Sequence, residues 1–253
     1  MNYSGMYDEE NNSYVDNAYK DNTQSNNVFF NREIRLGFIR KVYILLFIQL
    51  LVTTGTSAAF MYSNTVRTFA VSEAGQAIMV LSFVIMFATM ITLWCCINQF
   101  RKYPTNYILL ILFTLSSSYL IGYVTASYKT STVVLAAGTT LAITAGLTLF
   151  ACQTKYDFTT MGGALVSFLF GIIALNIINI FVKNSVLNTI IAGAGAFVFS
   201  LYIIYDTQLI VGGKHRKFQF SVDDYVIATI SLYLDVINLF LYLLELLGSG
   251  NRN

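Results

Sequence analysis

Seven stretches of apolar residues, at roughly 42–62, 78–97, 107–127, 132–152, 161–182, 186–211 and 226–247, leave this chain few ways to fold. About 20 residues at 1.5 Å rise cross the ~30 Å hydrocarbon core of a bilayer, and each stretch is about that long. The links between them run about 3 to 15 residues, so consecutive helices should be antiparallel neighbours. The expected architecture is an all-α integral membrane protein, a seven-transmembrane-helix bundle. Charge agrees with this. Only 11% of the 253 residues are charged, against about 25% in a soluble domain. Residues 1–41 hold 11 of these charges, which leaves 17 for the other 212 residues and excludes a soluble enzyme.

Three regions follow. Residues 1–31, rich in Asn, Tyr, Asp and Ser, bury too little to offset ordering entropy and read as a disordered tail. They contain no apolar core of a signal peptide. Residues 32–247 form the membrane domain, and 248–253 a short C-terminal tail. Orientation comes from Lys and Arg in the short flanks. With the tail in the cytosol, that side receives Lys20, Arg32, Arg35, Arg40, Lys41, Arg101, Lys102, Lys155, Lys214, Arg216 and Lys217. The other side has Arg67, Lys129, Lys183 and Arg252. The N-terminus is therefore expected in the cytosol and the C-terminus opposite, unless the last span is a re-entrant hairpin. A seven-span receptor, with its N-terminus outside, fits this bias poorly.

A net charge of +2 offers no patch for nucleic acid. Cys95, Cys96, Cys152 and the single His215 have no metal-ligand spacing, and the cysteines read as small packing residues. No cofactor is implied. Small residues four apart, Gly55 with Ala59, Ala142 with Gly146 and Ala192 with Ala196, predict close helix packing. Thr140, Thr144 and Thr148 make a hydroxyl stripe on the fourth span, and Asn176, Asn179 and Lys183 a polar stripe on the fifth.

Acidic residues within spans are the informative ones, because a carboxylate at a helix centre costs about 2.5–3.5 kcal/mol to insert. Glu245 lies within a turn of its span's end and can reach the interface. Asp206 lies six residues before Gly212, at a depth of roughly 9 Å, and Asp235 nine residues past Val226, at roughly 14 Å. A short loop joins the two spans, so both carboxyls fall in one half of the bilayer on helices expected to touch. Ser231, Asp235, Asn238 and Tyr242 share one helix face, and Tyr202 lies one turn below Asp206. Two carboxyls meeting in low dielectric cannot readily both ionise, so the pair would share a proton and titrate as a unit, a pH-sensitive latch. Arg101 or Lys102 at the end of the second span could supply a compensating cation. The Gly-x-Gly-Asp context of intramembrane aspartyl proteases is absent, which argues against an enzyme.

Five ordered segments, RKVYILLFIQLLVT (Arg40 to Thr53), RKYPTNYILLILFT (Arg101 to Thr114), ACQTKYDFTTMGG (Ala151 to Gly163), LYIIYDTQLI (Leu201 to Ile210) and SLYLDVINLFLYLLELL (Ser231 to Leu247), resemble the transmembrane BAX-inhibitor-motif proteins, within them the Lifeguard branch. The resemblance implies a seven-helix bundle with the last helix central, acting as a pH-sensitive calcium leak channel of intracellular membranes that suppresses cell death. It implies the endoplasmic reticulum, the Golgi or the plasma membrane as location. Asp206 and Asp235 then correspond to the family's paired pH sensor, where calcium would pass transiently. Arg101, with Lys102 as the alternative, corresponds to the basic residue that contacts the pair in the closed state. Ser231, Asn238, Tyr242, Tyr202, Asn176 and Asn179 are the polar lining candidates. Expected partners are the bilayer, calcium ions and cell-death regulators or receptors in the membrane. A non-conducting scaffold that inhibits apoptosis through protein partners is the alternative. The tail departs from animal members, lacking their prolines.

Overall fold

A computed structural model describes the backbone of residues 4–248 apart from Lys214, and the side chains of residues 32–248 apart from Trp94 and Lys214. The side chains of the expected tail, residues 1–31, and nearly all of the C-terminal tail lie outside the described residues. Eight α-helices are present among the described residues, and no strand. They are α1 (Ser4–Tyr62), α2 (Asn64–Val71), α3 (Glu73–Cys95), α4 (Thr105–Thr125), α5 (Thr130–Gln153), α6 (Gly162–Val182), α7 (Ser185–Val211) and α8 (Tyr225–Gly248). Short 3-10 turns, Ile97–Arg101, Phe158–Met161 and Val222–Asp224, lead into α4, α6 and α8. Seven segments are long and apolar enough to cross a membrane. The chain is an all-α, multi-pass membrane bundle. Helices are the form such segments must take, because hydrocarbon offers backbone groups no partner outside the segment itself.

The bundle is built around α8. Of its most apolar window 67% lies inside the protein, against 11% for the second span, α3, and 11% for the fifth, which contains α6. α8 packs on α1, α4, α5 and α7, while α3 leans on α4 and α6 on α7 from outside. It runs unbroken from Tyr225 to Gly248, so the last span is not a re-entrant hairpin. Outward-facing residues such as Phe47, Leu141, Phe170 and Phe181 form the apolar coat that a bilayer would cover.

Three local expectations are corrected. The link after the first span is not loop but α2, whose start is capped by Ser63, its Oγ accepting from Val66 N. Gly75 then lets α2 fold back on α3, because a Cβ there would sit 2.1 Å from the Phe69 carbonyl oxygen. Gly55, Ala59, Ala142 and Gly146 face outward, and a Cβ added at Gly55 or Gly146 meets nothing within 4 Å. Of the small pairs, Ala192 is in the core. Cys95, Cys96 and Cys152 are exposed on the bundle rather than packed in it.

Candidate functional site

The deepest charge-bearing groups sit where α7 meets α8. Asp206 is 6% and Asp235 5% exposed, and their carboxyl groups lie within hydrogen-bonding reach of each other. Ile203 and Ile210 on α7 and Leu232 and Leu239 on α8, each about one helical turn from an aspartate in sequence, are fully buried. Tyr202 lies one helical turn before Asp206 on α7, and Tyr205 is the residue next to Asp206 in sequence. Asp235 Oδ2 has no hydrogen-bond partner. A buried carboxylate oxygen without a donor is costly. The arrangement is a pair of buried carboxyls inside a membrane bundle.

A hydroxyl seam lies on another side of α8, against α1 and α4. Tyr233, two residues before Asp235, places its phenol 2.8 Å from Thr53 Oγ1 and 3.0 Å from Ser117 Oγ. Thr53 also meets Ser118 Oγ at 3.0 Å, and Gln49 Nε2 donates to Thr114 Oγ1 at 2.9 Å. α1, α4 and α8 are thereby pinned by polar contacts in the bundle interior. On the α5 side, Thr140 is spent on its own helix, donating to Ala136 O, and Thr144 Oγ1, Thr207 Oγ1 and the Tyr43 hydroxyl are buried without partners.

At the basic end the loop between α7 and α8 is clamped from three directions. Arg35 of α1 donates to the carbonyls of Leu209 (2.6 Å), Phe220 (2.6 Å) and Val211 (3.2 Å). Arg216 donates to the carbonyls of Thr154 (2.8 Å), Ala151 (3.2 Å) and Tyr156. Arg101, the expected partner of the aspartate pair, instead donates from Nε to Asp224 Oδ1 at 2.7 Å, the one ion pair among the described residues. The 3-10 turn that follows α3 swings Arg101 under the start of α8, and this hydrogen bond raises its pKa. Lys102 is exposed. Lys41 Nζ lies 3.3 Å from the centre of the Tyr225 ring, a cation–π contact at the same end. Partial burial pushes the Asp157 carboxyl up, but hydrogen bonds from Thr159 Oγ1, Lys217 N and Thr159 N, with Arg216 nearby, hold it below the usual carboxylate range.

The lining candidates divide into two groups. Tyr202, Ser231 and Asn238 lie within a turn of the pair in sequence, with Asn238 donating to Leu234 O. Asn176, Asn179 and Tyr242 lie toward the opposite end. There Asn176 Nδ2 donates to the Tyr242 hydroxyl at 3.4 Å, and Asn179 Nδ2 to Asn188 Oδ1 at 3.0 Å. Among the described residues no group of three His, Cys, Asp or Glu could hold a metal ion. Arg35, Arg216, Tyr233 and Gln49 escaped sequence reasoning. Each works through a partner far along the chain, as in the 174 to 185 residues that separate Arg35 from its acceptors.

Residues 35–252 match the family model of the inhibitor of apoptosis-promoting Bax1. The Golgi anti-apoptotic proteins of vaccinia virus strains Lister, LC16m0 and LC16m8 are each 37% identical to this chain over 219 residues, which is 87% of the chain and 88% of the relative. The matched region takes in every span and both aspartates, and the chain belongs to the family of inhibitors of apoptosis-promoting Bax1.

Proposed function

We propose that this chain is a pH-sensitive calcium leak channel of an intracellular membrane, with the Golgi first among the candidate organelles, and that it suppresses cell death by lowering stored calcium. The observation that carries the reading is the pair of enclosed carboxyls on the central helix and its neighbour. In the closed bundle Asp206 and Asp235 share a proton. Its loss leaves two negative charges face to face, which at about 4 Å and an effective dielectric of 20 repel by about 4 kcal/mol. α7 and α8 are then driven apart along the seam that the pair holds shut. The separated carboxylates offer the hard oxygen ligands calcium prefers, and Ser231, Asn238 and Tyr202 beside them, with Asn176, Asn179 and Tyr242 further along, continue a polar lining. The three-arginine clamp at the basic end is what must loosen for an ion to leave.

The name of the vaccinia relatives, Golgi anti-apoptotic protein, supports the cell-death and Golgi parts of this reading. The test is purified full-length protein in liposomes that enclose a calcium dye, with no other protein present. Calcium entry above that of empty liposomes is the expected result. Liposomes as tight as the empty ones would overturn the channel and leave a scaffold that acts through cell-death regulators in the membrane.

A further inference from the structure

The end of the bundle opposite the arginine clamp holds a cavity of about 590 Å³ where α6, α7 and α8 come together, within the range of small-ligand sites. Its walls carry opposite charges that do not meet. Glu245, on the last turns of α8, accepts a 2.6 Å hydrogen bond from Asn188 Nδ2 and is half-buried. Lys183 lines the same cavity. It sits in the left-handed region (φ 51°) at the C-terminal cap of α6, is exposed, and forms no ion pair with Glu245. Asn179 Nδ2 donates to Asn188 Oδ1 and Asn184 N donates to Asn179 Oδ1, a relay that fixes Asn188 against the glutamate. A carboxylate has about four acceptor sites, and Asn188 takes one.

An exposed cation at the cavity wall and a carboxylate held by Asn188 suit a ligand carrying both charges in the reverse order. The surroundings say where that ligand comes from. The turn between α6 and α7 ends two spans, and its flanks are exposed apolar side chains, Ile180 (65%), Phe181 (81%), Val182 (57%) and Val186 (66%). We infer that this cavity seats the headgroup of a zwitterionic phospholipid with a primary ammonium, a phosphoethanolamine lipid. Its phosphate meets Lys183, its ammonium meets Glu245, and its acyl chains lie along the apolar flank of α6. The ammonium's N–H donors match the carboxylate and the amide oxygens, whereas a trimethylated choline has none to offer, and a bare metal cation would meet the Lys183 charge. Charge-assisted hydrogen bonds give both affinity and selectivity here.

The test is native mass spectrometry of the delipidated full-length protein titrated separately with dioleoyl phosphatidylethanolamine, phosphatidylcholine and phosphatidylglycerol. The wild-type protein should retain one phosphatidylethanolamine with about tenfold preference over the other two, the factor that one charge-assisted hydrogen bond supplies. Glu245→Gln should erase the preference over phosphatidylcholine. Lys183→Met should weaken both zwitterionic lipids together, and Lys129→Met, which removes an exposed charge from the same end outside the cavity, should leave binding unchanged. Equal retention of the three lipids by the wild-type protein, or a preference for phosphatidylglycerol, would overturn the inference. That comparison needs no variant to fold.

Discussion

Replacing Arg35 with Met removes a guanidinium that holds three elements together while keeping most of its apolar stem. The last carbonyls of α7 have no partner within their own helix, and Arg35 supplies one to Leu209 and to Val211, and a third bond to Phe220 in the loop. Leu209 O keeps a second donor, Phe220 N at 3.0 Å. Phe220 O and Val211 O have none in reserve among the contacts described above. Hydrogen bonds from a charged donor contribute about 1.5–3 kcal/mol each. Arg35 is half-buried, so water recovers part of the loss, and two short bonds discounted by half leave about 1.5–3 kcal/mol. The lost stacking on Phe38, whose ring centre is 4.8 Å from the guanidinium carbon, adds about 0.5–1 kcal/mol. The sum, about 2–4 kcal/mol, corresponds to roughly 4–16 °C in Tm for a chain of this size. Thermal unfolding of the purified protein in detergent reads the loss, and trypsin cleavage after Arg216 and Lys217 reads the freed loop. Arg35→Lys should recover only part of the stability, because an ammonium cannot span three acceptors with the fork geometry of Arg. A Met variant that melts within about 1 °C of wild type and is cut no faster would refute the clamp.

Tyr233→Phe should cost about 1–2 kcal/mol in the same unfolding assay, since Thr53 and Ser117 lose a shared phenol but keep backbone acceptors at Gln49 and Phe113. Gly195→Ala should destabilise by about 1–3 kcal/mol, because the new Cβ would stand 2.6 Å from the Tyr242 ring; Gly55→Ala, facing outward, is its neutral control. Asp157→Asn should lower Tm by an amount that depends on pH in one direction. The Asp157 carboxyl is held below its ordinary range in the folded protein, so its stabilisation is fully present above the unfolded carboxylate pKa of about 3.9 and is lost as pH falls through the folded value. The difference between wild type and variant should stay constant from about pH 5 to 8 and close only in stronger acid.

The membrane domain was legible because a bilayer imposes one length and one composition on everything that crosses it. Six of the seven spans expected from apolar runs differ from the helices by a few residues at their ends, while the first, expected from residue 42, belongs to the longer α1, whose membrane-length apolar segment begins at Arg32. α2 was missed because Asn64, Thr65, Arg67 and Thr68 make its run too polar and too short for that criterion. Counting residues from the shared loop brought Asp206 and Asp235 together, since a fixed rise per residue turns sequence distance into depth. The same arithmetic could not assign Arg101. Its side chain is aimed by an irregular turn, and Asp224, buried on a 3-10 turn ahead of α8, takes its hydrogen bond. The small-residue spacing at Gly55 and Ala142 failed for a related reason: it marks a face that permits close approach, without a helix opposite to make it. Glu245 read as a residue free to reach the interface, and its bond to Asn188, 57 positions earlier, is tertiary.

Calcium flux into liposomes measured from pH 5 to 9 for wild type, Asp206→Asn and Asp235→Asn tests the central claim most directly. If the closed bundle depends on a proton shared between these two carboxyls, wild-type flux rises with pH as that proton leaves, and each asparagine variant, with one carboxyl and no like-charged neighbour, gives a flat profile. Variants that keep the wild-type pH profile would contradict the account.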